Sequence, residues 1–341
     1  MGGVTSADVA RESGVSRTTV SYVLNGTAGT SISEATRRRV LEAAERLGYA
    51  PSAAARTLRS GRSDLVLCVL PDWPVGPVVE TMLDHLADEL AERELSVLVH
   101  HVRGDRPLTH LWRAVTPRTV VGLTPFEPDE VRAMRRAGIQ VVGEDVDDGA
   151  SGPADSAEPG GHGARARATS AEDPQPIIGR LQADRLVARG CRRIGYATTA
   201  DPRVADFAAA RLAGVRAACG EHGLAEPMVI PVRVDAASGA EAVAAWTQAD
   251  VDGVAAYNDE VAFAVLAGAR GAGLDVPADL AVIGVDDVPL AALASPPLTT
   301  VTQSIEREAS YLAACVLAAL DGEDAPPRPH DAPALVERDS A

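Results

Sequence analysis

Apolar positions in the first sixty residues recur at helical spacing, in short runs broken by glycine. Thr5 and Asp8 stand as a capping-box pair at the start of one helix, Val9 and Ala10 supply its inner face, and Gly14 ends it. Ser16 is placed to cap a second helix, with Val15 and Val20 at the two positions of a hydrophobic staple. Within that helix Val20, Val23 and Leu24 face inward, which leaves Arg17, Thr18, Ser21 and Tyr22 outside. A loop over residues 25–30 follows. Ser33 caps a third helix, with Val40, Leu41, Ala44 and Leu47 as its inner stripe and Gly48 as its stop. Residues 52–60 fit one more short helix, closed by Gly61.

From residue 64 the pattern changes to apolar runs alternating with amphipathic stretches. Leu65–Leu70 is a buried-strand run, and Val78, Val79, Met82, Leu83, Leu86 and Leu90 are spaced as a helix face. Ser96–Val99, Thr119–Leu123 and Ile139–Val142 are further strands. The rhythm resumes at Arg193–Thr198, Met228–Val234, Gly253–Tyr257 and Leu280–Val285. Strand–helix alternation of this kind predicts parallel sheets covered on both faces, in two α/β subdomains. Between the blocks, residues 150–176 contain no Val, Ile, Leu, Met, Phe, Trp or Tyr. Such a stretch buries too little apolar surface to order itself, so a long loop is expected there.

The chain has 341 residues, enough for two or three domains, and 46% of them are hydrophobic. No apolar run approaches the roughly 20 residues needed to span a bilayer, and the N-terminus lacks the basic and apolar regions of a secretory signal. A cytoplasmic protein is the expectation. The formal net charge of −16 argues against nucleic acid as a partner until it is divided by segment. Residues 1–63 carry nine arginines and five acids, for +4, while the remainder carries −20. A small basic module on an acidic body can bind DNA locally.

Cys68, Cys191, Cys219 and Cys315 are far apart among apolar neighbours, and are expected to be buried free thiols. His100 and His101 lack a third ligand at metal-binding spacing. No phosphate loop and no Ser/His/Asp arrangement stands out, so neither a cofactor nor an enzymatic activity is expected.

The run from Val4 to Asn25 resembles the DNA-binding headpiece of the lactose repressor (LacI/GalR) family, as do Arg46–Pro51 and Ala55-Arg56-Thr57-Leu58. The second half agrees independently through Asn258-Asp259, Gly273–Asp287, Pro297–Val301 and Leu335–Ser340. The resemblance covers nearly the whole chain except residues 150–176. It implies an all-α helix-turn-helix headpiece over residues 1–50, a hinge helix and linker over 51–63, and an effector-binding and dimerisation domain over 64–341. That domain would be a periplasmic-binding-protein-like α/β body of two parallel-sheet subdomains.

The resemblance also implies roles. Arg17, Thr18 and Tyr22 fall where the family reads bases in the major groove. Thr5, Ser16, Thr19, Ser21 and Asn25 fall at phosphate contacts, some of them doubling as caps. Ala55 and Leu58 belong to the hinge; Leu58 is either a minor-groove wedge or a core leucine of a linker helix. Arg211, Asn258 and Asp286 fall on cleft positions that hold an effector, commonly a sugar or nucleobase, and Asp72 and Trp73 line the same cleft. The Trp73 ring either stacks on a sugar or simply packs, while Asp259 and Asp287 read as turn or cap residues. Tyr22 stands where many members carry arginine, Ser52 where asparagine is frequent, and Cys191 where histidine is usual. The tail from Ala325 has no leucine heptads, so a homodimer on a near-palindromic DNA operator is expected, with no membrane partner. A DNA-binding regulator that has lost effector sensing, and a sugar-binding receptor, remain the alternative classes.

Overall fold

The computed structural model describes residues 4–24, 31–49, 63–104, 106–143, 173–329 and 331–341. Three helices form the N-terminal unit: α1 (Ser6–Ser13), α2 (Arg17–Leu24) and α3 (Glu34–Leu47). Val9, Ala10, Val20, Val23, Val40, Ala43 and Ala44 make its core. Its stops and caps are those the sequence announces. Gly14 and Gly48 end α1 and α3 in the left-handed conformation, and the Thr36 N–H donates to Ser33 Oγ at 3.3 Å. One inner-stripe residue is corrected: Leu41 is exposed. The stripe that packs is Val40, Ala43, Ala44 and Leu47, and Leu41 lies about 100° round the helix from Val40.

The first parallel sheet has the order β2-β1-β3-β4, from β1 (Leu65–Leu70), β2 (Ser96–His101), β3 (Thr119–Gly122) and β4 (Gln140–Gly143). α4 (Pro77–Ala91), α5 (Leu108–Val115) and α6 (Pro128–Arg136) connect these strands. The second sheet has the order β6-β5-β7-β8, from β5 (Ile194–Thr199), β6 (Met228–Val232), β7 (Gly253–Ala256) and β8 (Ala281–Ile283), also all parallel. Its helices are α7 (Pro174–Arg189), α8 (Ala205–Glu221), α9 (Ala236–Gln248) and α10 (Asp259–Ala272). Every expected body strand is present, with ends shifted by one or two residues. β2 departs from the doubly covered pattern: it is an edge strand with Leu98 and Val99 exposed.

The chain then returns. β9 (Thr300–Thr302) pairs antiparallel with β10 (Ala334–Val336), and the helix between them, α11 (Ile305–Asp321), packs on the first sheet. Ala309, Leu312, Ala313 and Val316 of α11 share a core with Val66, Cys68 and Leu70 of β1. The two subdomains are therefore joined between β4 and α7, between β9 and α11, and between α11 and β10. Residues 174–176, expected in the long loop, are instead the first turn of α7, and the rest of that segment up to 172 lies outside the described residues. Asp173 caps that turn by accepting from the Gln175 N–H at 3.1 Å, and Pro174 is tolerated where no N–H is needed. An N-terminal turn needs a cap more than it needs apolar residues. All four cysteines are free and buried, and burial pushes the Cys68 thiol up to about 12. Among the described residues no helix is long and apolar enough to cross a membrane.

Candidate functional site

α1, the tight turn at Gly14 and α2 are fixed by local hydrogen bonds. The Thr5 N–H and Oγ1 both donate to Asp8 Oδ2, at 2.9 and 2.7 Å, and these bonds hold the Asp8 carboxyl below its ordinary range. Ser16 Oγ accepts from the Thr19 N–H at 3.0 Å. Val20 and Val23 anchor α2 against α1 and α3, so its opposite face presents Arg17, Thr18 and Tyr22 to solvent. Tyr22 is 40% exposed, a large aromatic surface for an unpartnered helix face. Thr19 and Ser21 are half-buried at the margins of that face. Asn25, Ala55 and Leu58 lie outside the described residues.

The second cluster forms where the strands of both sheets end. Asp72 and Trp73 follow β1, Tyr257 and Asn258 follow β7, and Asp286 follows β8. The carboxyl ends of parallel strands are where α/β sheets bind ligands. Arg211, on α8, is 5% exposed and central. Its Nε donates to Gln175 Oε1 at 2.7 Å, one terminal nitrogen donates to the Tyr257 carbonyl at 2.5 Å, and the other lies 3.9 Å from Asp286 Oδ1. Its guanidinium also stands 4.8 Å from the centroid of the Tyr257 ring. Gln303 Nε2 donates to Asp286 Oδ1 at 3.1 Å, and Gln175 Nε2 donates to Gln303 Oε1 at 3.3 Å. Arg211, Gln175, Gln303 and Asp286 thus close a polar ring. Burial raises the Asp286 carboxyl above its ordinary range, against the opposing pull of Arg211. Burial likewise lifts the Tyr257 phenol to about 12.

Asn258 is already engaged: its Oδ1 accepts from the Val261 N–H at 3.0 Å and caps α10, leaving its amide nitrogen for other partners. Asp287 pairs with Arg338, and the buried Asp259 accepts from the Val288 N–H and Thr300 Oγ1, so both are structural. From the other subdomain, the Trp73 ring meets the Phe207 ring edge-on at 5.3 Å, and Asp72 lies 4.0 Å from Arg203. Gln175, Gln303, Tyr257, Phe207 and Arg203 were not singled out by sequence reasoning. Gln303 follows the Pro297–Val301 block and was within reach; Gln175, at the end of an apolar-free stretch, gave no signal.

Residues 5–52 match the family described as bacterial regulatory proteins, lacI family, and residues 183–341 match the periplasmic binding protein-like domain. The HTH-type transcriptional regulator GntR of Pseudomonas aeruginosa is 31% identical over 93% of this chain and 89% of its own length. The HTH-type transcriptional repressor PurR of Aliivibrio salmonicida is 27% identical over 89% and 88%. A solved complex of the transcriptional regulator CelR with cellobiose is 25% identical and superposes with a TM-score of 0.63, over 99% of this chain and 100% of that one. Headpiece, body and the order of the two agree along essentially the full length: the chain belongs to the lacI family of bacterial regulatory proteins, transcriptional regulators that bind DNA.

Proposed function

We propose that this regulator is a repressor that binds a near-palindromic operator as a homodimer inside the cell, and that a sugar in the cleft between its subdomains modulates that binding. Arg17, Thr18 and Tyr22 read base edges; Thr5, Ser16, Thr19, Ser21 and Asn25 hold phosphates, and Ala55 and Leu58 extend the contact through the hinge. The observation that carries the effector reading is the buried polar ring of Arg211, Gln175, Gln303 and Asp286. The ring gathers donors and acceptors at the carboxyl ends of the strands, where α/β sheets bind ligands, and a guanidinium, two amides and a carboxylate suit a polyhydroxylated one. Asp72, Trp73 and Asn258 complete the lining, and the related CelR complex with cellobiose favours a sugar. For the homodimer, Leu98 and Val99 on the edge strand, Val102 just after it, and Leu290 and Leu293 after the second sheet's last strand are exposed apolar side chains that a second copy would cover. The reading includes no catalytic step.

A second reading is favoured by one observation: the ring satisfies its own members, as in a regulator that no longer senses an effector. Selection of bound sequences from random duplex DNA, repeated with a panel of sugars, separates the two. A palindrome weakened by one sugar supports the inducible repressor and names its ligand class. A palindrome that no sugar affects supports the second reading, and recovery of no palindrome refutes both.

A further inference from the structure

The acidic body pairs many of its arginines, as in Arg93 with Asp321, Arg180 with Glu221, Arg216 with Glu226 and Arg307 with Asp331. The guanidinium groups of Arg113, Arg118 and Arg136 have no carboxylate or hydrogen-bond partner among the described residues, yet these residues line one concavity of about 650 Å³. Each is brought there by a different part of the first subdomain. Arg113 lies on α5 with its guanidinium 5.4 Å from the Trp112 ring centroid, Arg118 precedes β3, and Arg136 is the last residue of α6. Thr116 and Gln140 add polar atoms to the rim, and Ile139 and Leu320 add apolar surface. The Nε of Arg118 is buried without any acceptor. A buried donor left unmet is the exception in folded proteins, and an arriving oxygen would satisfy it.

The position of the concavity matters as much as its chemistry. It sits at the amino ends of β3 and β4, opposite the strand ends that carry the cleft. The chain enters β1 at this same end, and its first residues are tied to the rim. Ser63 Oγ donates to the Thr116 carbonyl, and the Arg118 N–H donates to the Leu65 carbonyl at 2.8 Å. A group bound here therefore touches the residues that anchor the segment leading from the headpiece.

We propose that this concavity is a second ligand site, distinct from the cleft, that takes the phosphoryl group of a small phosphorylated metabolite and biases DNA binding through Thr116 and Ser63. Guanidinium forks match phosphate oxygens in pairs, and three of them in an acidic body select a multiply charged anion over a neutral sugar. The volume accommodates a phosphate with an organic moiety attached.

The test uses the full chain and two probes, inorganic pyrophosphate and ribose 5-phosphate, titrated calorimetrically at constant ionic strength with ribose as the uncharged control. Saturable binding of a phosphorylated probe but not of ribose is expected. Arg118→Gln and, separately, the exposed Arg136→Gln should each weaken it tenfold or more, with circular dichroism unchanged. Asp286→Ala, a cleft variant, should leave it intact. Binding that Asp286→Ala abolishes and the arginine variants spare would overturn the proposal, as would no saturable binding at all. Backbone phosphates of operator DNA are the other source of the same chemistry. In that case Arg136→Gln would lower the slope of log affinity against log salt by about one without any metabolite, and the metabolite reading would fall.

Discussion

Asp259 is 1% exposed, and burial is the largest cause lifting its carboxyl from 3.8 to about 7, with the neighbouring Asp286 and Asp287 adding to the shift. Between those two values the folded chain holds a proton that the unfolded chain has released. Raising the pH through that window therefore withdraws stability, by roughly 1.4 kcal/mol per unit. In Asp259→Asn the amide oxygen still accepts from Val288, and the Thr300 hydroxyl can turn to accept from the amide nitrogen. The variant should gain on the wild type at pH 8, and its advantage should shrink by roughly 2–3 kcal/mol by pH 5. Denaturant unfolding of both proteins at the two pH values measures this; a constant difference would mean that Asp259 is ionised throughout. Arg17 gives the residue-scale prediction for DNA. It is exposed on α2, so its removal should spare the fold. Arg17→Ala should weaken operator binding by about 1–3 kcal/mol and nonspecific binding by less, as read by competition with unrelated duplex.

The polar ring exists because two helices approach unusually closely. A Cβ on Gly179 of α7 would lie 1.8 Å from the Arg211 carbonyl oxygen, and one on Gly214 of α8 would lie 1.9 Å from the Pro176 carbonyl oxygen. Both obstacles are backbone, so even a methyl group must push the helices apart. α7 carries Gln175 and α8 carries Arg211, so their 2.7 Å hydrogen bond depends on that approach. Gly214→Ala should cost about 1–3 kcal/mol, lower the unfolding midpoint and abolish any effector response while leaving operator binding in place. Thermal unfolding and DNA-shift titration check the two halves. Much of this element-scale architecture was legible. Glycine stops, hydroxyl caps and apolar periodicity located α1 to α3, and the alternation of apolar runs located both sheets. Arg211 was legible through the family resemblance, which places it in the cleft, and not through local pattern. Leu41 misled because its apolar character is real while its angle round α3 is wrong. Gln175 was illegible for a different reason: its role is set by a partner 36 residues away, across a helix crossing that local pattern does not encode.

Three connections join the subdomains, so the two cores can move relative to each other without either being rebuilt. Little holds the cleft shut at its mouth. The Asp72–Arg203 pair is long at 4.0 Å between exposed side chains, and each has a nearer partner, Arg103 for Asp72 and Asp201 for Arg203, so it contributes little. The edge-on contact of Trp73 with Phe207 adds about 0.5–1.5 kcal/mol. Closure held by a sum of that size is within reach of a ligand, since about 1.4 kcal/mol shifts a two-state equilibrium tenfold. A contact much stronger would lock the body, and one much weaker would leave the cleft open at rest. Phe207→Ala removes the aromatic half of the mouth from the far side of the cleft, without touching the polar ring or the headpiece. The variant should move the open-to-closed ratio several-fold to tenfold towards open. In small-angle scattering its radius of gyration should rise in the absence of effector, with thermal unfolding of the two cores little changed. Its operator affinity should shift in the direction that the open body favours, whether up or down. Unchanged scattering would mean that closure is set by the connections themselves, and that Trp73 and Phe207 merely rest against each other.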